Sequence, residues 1–265
     1  MRVPRLRSDE HAHLVPVAVP DAPRGVVLVV HGGRSTSNAT VRWWQFAPLR
    51  MRPIATAVAR HDRSLAVFRL QLATRGWNGA GAAPIHDLRW ALDRLTARFP
   101  GRPIALVGHS MGARTALRVA DAPGVAGVVG LAAWLPPDEP LRQLRAVPVR
   151  LVHGSEDRIV PEESTKPWIA RAVRNGLDLD LEVLEGSGHA MFRRHGEWHW
   201  LAATLSTALI DRAPHAGHPP LTPPVRLPQQ QRPQQQPVEE RLTMVSGRGL
   251  AEKSGPRASG SNRRR

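Results

Sequence analysis

Six short apolar runs recur along residues 1–212, and the stretches between them place apolar residues at helical spacing. The runs are residues 26–30, 65–70, 103–107, 125–134, 147–152 and 179–184. Most are apolar at consecutive positions, so both faces of such a strand must be covered, which suits a parallel sheet packed between helices. The last run, Leu179-Asp180-Leu181-Glu182-Val183-Leu184, alternates and reads as a half-buried strand. Residues 14–19 are expected to pair at an edge. Between the runs, Ile85, Leu88, Leu92 and Leu95 fall on a helical stripe, with Asp87 and Asp93 off it. Residues 49–60, 111–120, 161–174 and 197–210 fit the same period. This alternation predicts an α/β fold: a mostly parallel β-sheet with helices on both faces and right-handed crossovers. Ligands meet such sheets beyond the carboxyl ends of the strands, so the residues that leave each strand are the ones to inspect.

Composition narrows the function. The chain has 265 residues and no cysteine. Disulfides, thiolate metal sites, iron–sulfur clusters and cysteine nucleophiles are therefore excluded. Net charge is +15, and 35 of the 37 basic residues are arginine. They are scattered through every segment without a dense basic block, so a nucleic-acid partner is not expected. From residue 213 the chain turns rich in Pro, Gln and Arg, with sparse apolar residues and no period. Such a segment cannot bury enough apolar surface to offset its ordering entropy. One domain over residues 1–212 and a disordered tail over 213–265 are expected. No run approaches the ~20 apolar residues of a membrane span. The first 20 residues hold no apolar stretch of signal-peptide length, so a cytoplasmic protein is expected.

The third run ends in Gly108-His109-Ser110-Met111-Gly112, and a helical pattern follows at once. The G-x-S-x-G string alone is weak evidence. Its placement is stronger, because a nucleophile elbow needs a strand, a tight turn and a helix in that order. The helix N-terminus then aims free amides at an oxyanion forming beside Ser110. A serine hydroxyl also needs a base, and the base an acid. The fifth run leads into His153-Gly154-Ser155-Glu156-Asp157 and the sixth into Glu185-Gly186-Ser187-Gly188-His189. Asp157 and His189 therefore leave strands on the same edge as Ser110.

In these three motifs, in this order and on these elements, residues 26–210 resemble the α/β-hydrolase family. The resemblance implies Ser110 as nucleophile, His189 as general base and then acid, and Asp157 as the carboxylate that orients the imidazole. The family's G-x-x-D pattern selects Asp157 over Glu156. The loop His31-Gly32-Gly33-Arg34 resembles the family's His-Gly-Gly oxyanion loop. It implies an oxyanion hole from the amides of Met111 and Gly33, with Arg34 as a nearby substitute and His31 as the residue that holds the loop. Ser110 and Asp157 are separated by one strand–helix–strand passage. Only residues 134–146 are free to cover the site, so an uncapped or barely covered member is expected.

The strand ends also carry candidate substrate contacts. Trp77 follows the second run and Trp134 ends the fourth, while Trp43 and Trp44 follow the oxyanion loop and Met191 and Phe192 follow His189. Trp77 and Trp134 are expected to wall an apolar pocket, with Arg34 meeting an anionic group. Trp90, Trp198 and Trp200, on helices, are expected to be packing residues. The string His195-Gly196-Glu197-Trp198-His199 is expected to be an exposed helix start rather than a metal site, and neither a metal nor another cofactor is expected. The expected activity is cleavage of a small-molecule carboxylic ester or thioester through an acyl-enzyme. Acyl transfer or amide cleavage on the same triad, or a catalytically silent ligand-binding member, is the alternative.

Overall fold

The computed structural model describes residues 6–8 and 12–213. The tail expected beyond Ala213 lies outside the described residues. In chain order the elements are β1 (Leu6–Arg7), β2 (His13–Ala18), β3 (Gly25–Val30), α1 (Phe46–His61), β4 (Leu65–Gln71), α2 (Asn78–Arg98), β5 (Ile104–His109), α3 (Met111–Arg118), β6 (Val125–Leu131), β7 (Val149–Gly154), α4 (Glu162–Arg174), β8 (Leu179–Leu184) and α5 (His195–Arg212). Each of the six runs falls in a strand of β3 to β8, and residues 14–19 overlap β2. The two-residue β1 was not read, because two residues carry no period.

The strands form one eight-stranded sheet in the order β1-β2-β4-β3-β5-β6-β7-β8. β3 to β8 are mutually parallel, and β2 runs antiparallel to β4 and to β1. All six residues of β3, of β5 and of β7 are buried. Their side chains divide between two cores, as a period of two requires. Val26, Leu28 and Val30 pack with Leu88, Leu92 and Leu95 of α2, Ala113 and Leu117 of α3, and Trp168 of α4. Val27 and Val29 pack with Met51, Ile54 and Val58 of α1 and with Trp198, Leu205 and Leu209 of α5. Helices thus cover both faces. β8 is an edge strand, and its alternation leaves Asp180 and Glu182 exposed.

One helical expectation needs correction. The pattern over residues 85–95 lies in α2, but its first turn is broken by non-helical backbone at Gly79 and Gly81. Asp87, off the apolar stripe, is nevertheless buried, and its carboxylate accepts the Ala73 N–H at 2.8 Å. It ties the loop after β4 to α2. Among the described residues, no helix is long and apolar enough to cross a membrane.

Candidate active site

Ser110 stands between β5 and α3 with φ 54° and ψ −117°, a strained backbone for a residue other than glycine. The turn is possible because strand and helix approach each other without intervening side chains. A Cβ on Gly108 would lie 2.4 Å from the Gly112 carbonyl oxygen, and one on Gly112 would lie 2.5 Å from that of His31. The two glycines of the motif are therefore steric requirements of the elbow.

The strand ends bring Ser110, His189 and Asp157 into one hydrogen-bonded line. The Ser110 hydroxyl lies 3.0 Å from His189 Nε2, and His189 Nδ1 donates to Asp157 Oδ2 at 2.7 Å. The second carboxylate oxygen of Asp157 accepts the N–H groups of Ile159 and Val160 at 2.9 and 2.8 Å. Burial alone would raise the Asp157 pKa, but the bonds from His189 and Val160 outweigh it and hold the group below the ordinary carboxylate value. Asp157 therefore stays ionised where an imidazole titrates. Glu156 turns outward and pairs with Arg193 at 2.8 Å. His153 backs the carboxylate: its Nε2 lies 3.5 Å from Asp157 Oδ2 and donates to the Val160 carbonyl at 2.8 Å.

Met111 follows the serine directly, and the loop of Gly32 and Gly33 lies against it, a Cβ on Gly32 falling 3.2 Å from that of Ser110. Among the described residues, neither the Met111 nor the Gly33 N–H has a hydrogen-bond acceptor. Arg34, the substitute considered from sequence, is unsuited, because its N–H donates to the Arg75 carbonyl at 2.7 Å. His31 fixes the loop. Its Nε2 accepts the Leu72 N–H at 3.1 Å, so Nδ1 carries the proton and donates to the Gly32 carbonyl at 2.6 Å. Burial drives the His31 pKa down to about 4. Burial, assisted by His189, drives His109 down to about 3. In the unfolded chain both take up protons near the ordinary 6.5, so the unfolded state binds more protons than the native one below that pH. Stability should therefore fall as pH drops from 6.5 to 4. A thermal midpoint that stays flat from pH 7 to pH 4.5 would contradict these two assignments.

The expected substrate contacts divide. Trp134 is half-buried, and its N–H approaches the Ser110 carbonyl at 3.4 Å. Arg34 is exposed on the loop after β3. Trp77, by contrast, is only 2% exposed and packs edge-on to Trp134 at 6.2 Å. The Arg114 guanidinium lies between these rings, 4.1 Å from the Trp77 centroid and 4.5 Å from that of Trp134. Trp77 therefore backs Trp134 from the core.

Residues 26–148 match the model of the α/β hydrolase family. No curated protein matches the chain. Among solved structures, the chain is similar to an α/β serine hydrolase homologue from Coxiella burnetii, at 18% identity and TM-score 0.59 over 76% of this chain and 95% of that one. An α/β serine hydrolase without a lid from Xanthomonas campestris matches at 19% identity and TM-score 0.58, over 79% and 95% of the two chains. The esterase domain of a Rhodothermus marinus protein matches at 19% identity and TM-score 0.54, over 78% and 96%. The chain has the α/β-hydrolase fold. The segment that carries a lid in capped α/β-hydrolases, between β6 and β7, holds here a single 3₁₀ turn, Arg142–Leu144. A depression of about 510 Å³ beside Val125, Arg142 and Val147 lies at the amino ends of β6 and β7, opposite the edge that carries Ser110.

Among the helical tryptophans, Trp198 is fully buried and donates to Ser187 Oγ at 2.7 Å, and Trp90 packs on the core. Trp200 departs from expectation and is 54% exposed, because α5 presents that position away from the sheet. Trp43, Trp44, Phe46 and Phe192 are also exposed, and Phe46 meets Phe192 at 5.6 Å. Glu197 forks onto Arg194. Three further residues of this α/β-hydrolase site escaped the sequence reading. His109 donates through Nε2 to the His189 carbonyl at 3.0 Å, Arg50 reaches the loop after His189, and Glu139 pairs with Arg114. Only the adjacency of His109 to Ser110 was available as a signal.

Proposed function

We propose that this chain is a cytoplasmic serine hydrolase that cleaves a small-molecule carboxylic ester or thioester through an acyl-enzyme. The observation that carries the reading is the unbroken line from Asp157 through His189 to Ser110 at the N-terminus of α3. In this reading Ser110 Oγ attacks the substrate carbonyl while its proton passes to His189 Nε2. The tetrahedral oxyanion is met by the Gly33 and Met111 amides. Collapse expels the alcohol or thiol, which takes the proton from His189. Water, activated by the same imidazole, then releases the acid and restores Ser110. Asp157 holds the imidazole and stabilises its charged form. Trp134 and the exposed pair Phe46 and Phe192 supply apolar surface for the acyl or alcohol part, and Arg34 an anion contact. The serine hydrolase and esterase descriptions of the structural relatives support this reaction class.

The test is covalent labelling with a fluorophosphonate probe, followed by mapping of the modified peptide. Labelling at Ser110 that disappears in His189→Ala is expected. A folded sample that takes no label would overturn the reading in favour of a silent ligand-binding member.

A further inference from the structure

A guanidinium taken out of water is ordinarily met by a carboxylate, because an unpaired buried charge is strongly destabilising. Arg50, on α1, is 6% exposed, yet among the described residues no carboxylate lies within ion-pair distance of it. Its acceptors are main-chain carbonyls 140 and 141 residues away. Nε donates to the Ala190 carbonyl at 2.6 Å, and a terminal guanidinium nitrogen donates to that of Met191. The carbonyl just before these, His189, receives the N–H of His109 at 3.0 Å. Three successive carbonyls of one loop are thus each held by a side chain, from β5 and from α1. The loop is one that needs holding. The Met191 N–H closes a turn on the Gly188 carbonyl at 2.9 Å, and Met191 itself has φ 56°.

We propose that Arg50 is a positioning residue for His189, holding the Ala190 and Met191 carbonyls so that the imidazole stays in line between Asp157 and Ser110. The proposal rests on the reading of His189 as the general base. A planar fork reaches two successive carbonyls, whereas an ammonium on a flexible stem does not reproduce that geometry. A base displaced by about 1 Å loses on the order of 100-fold in rate, so holding its loop is a catalytic requirement. The groups facing His189 are Asp157 at 2.7 Å, backed by His153, and His109, whose ring centroid lies 4.9 Å away. His199 of α5 lies within the field of Arg50.

The experiment compares wild type with Arg50→Met and Arg50→Lys on a p-nitrophenyl ester. It also follows hydrogen exchange at the Met191 amide. In Arg50→Met, kcat should fall tenfold or more with KM within about twofold. Arg50→Lys should not restore the full kcat, because an ammonium does not span the two carbonyls. Met191 exchange should quicken at least tenfold in both. A folded Arg50→Met with wild-type kcat and exchange would overturn the proposal. If Arg50→Met fails to fold, Arg50→Lys decides, and unchanged kcat and exchange there would overturn it. If wild type takes no fluorophosphonate label, the active-site reading has failed separately. The exchange in Arg50→Lys then still supports the clamp if accelerated and rejects it if not.

Discussion

Ser110→Ala should lower kcat by about 10⁴- to 10⁶-fold and leave the thermal midpoint within a few degrees of wild type. The reaction proposed here forms a bond to Ser110 Oγ, and nothing else along the hydrogen-bonded line can replace that atom. Oxyanion-hole donors and substrate contacts would remain and leave a small residual rate. The fold should be nearly indifferent. The substitution removes one hydroxyl hydrogen bond, the 3.0 Å contact to His189, which contributes about 1 kcal/mol. The strained backbone at this position is as strained for serine as for alanine. Initial rates on a p-nitrophenyl ester, with a thermal melt of the same preparation, make the measurement. Wild-type turnover from a preparation free of contaminating esterase would remove Ser110 from the mechanism.

Glu139→Ala should have the largest effect on stability, about 3–5 kcal/mol, and lower the thermal midpoint by about 10 °C for a domain of this size. The Glu139 side chain is fully buried, and it is the carboxylate that meets both Arg114, at 2.5 Å, and Arg118. Its main-chain carbonyl accepts Trp168 Nε1 at 3.0 Å and the guanidinium of Arg171. Burial draws the Arg114 pKa down, and the Glu139 carboxylate opposes that shift. Without the carboxylate, a guanidinium would remain between Trp77 and Trp134 with no acceptor in its place. The damage should also reach the candidate site, because Trp134 bonds the Ser110 carbonyl and Arg114 lies one turn after Ser110. Esterase rate should therefore fall together with the midpoint. A change in midpoint under about 2 °C would show that solvent or Asp138 replaces Glu139 without cost.

Much of the candidate site was legible because its signals are local. Ser110 stands inside a five-residue motif, and Asp157 and His189 each leave a recognisable strand. Asp157 was separable from Glu156 by motif alone, and in the fold Glu156 faces Arg193 instead. The choice between Gly33 and Arg34 was not legible. It turns on whether the Arg34 N–H is already spent on Arg75, which is settled by a bridge between the loops after β3 and β4. Asp87 misled for a related reason. Helical period sorts side chains by hydropathy, and it cannot register a backbone donor such as Ala73 waiting on the buried side. Trp77 was expected to wall the pocket, but no local signal could register the Arg114 guanidinium against its ring or its burial behind Trp134.

Amino-acid order by itself determined the α/β class, the strands that carry the site, and the elbow at Ser110. Apolar period and glycine spacing act over a few residues, so a local window contains the whole cause. Only the tertiary structure decided which carboxylate buries with the arginines of α3, and that Arg50 reaches across 140 residues to the carbonyl of Ala190. A buried charge takes whatever acceptor the packed chain brings to it, and that acceptor belongs to no stretch of sequence near the charge.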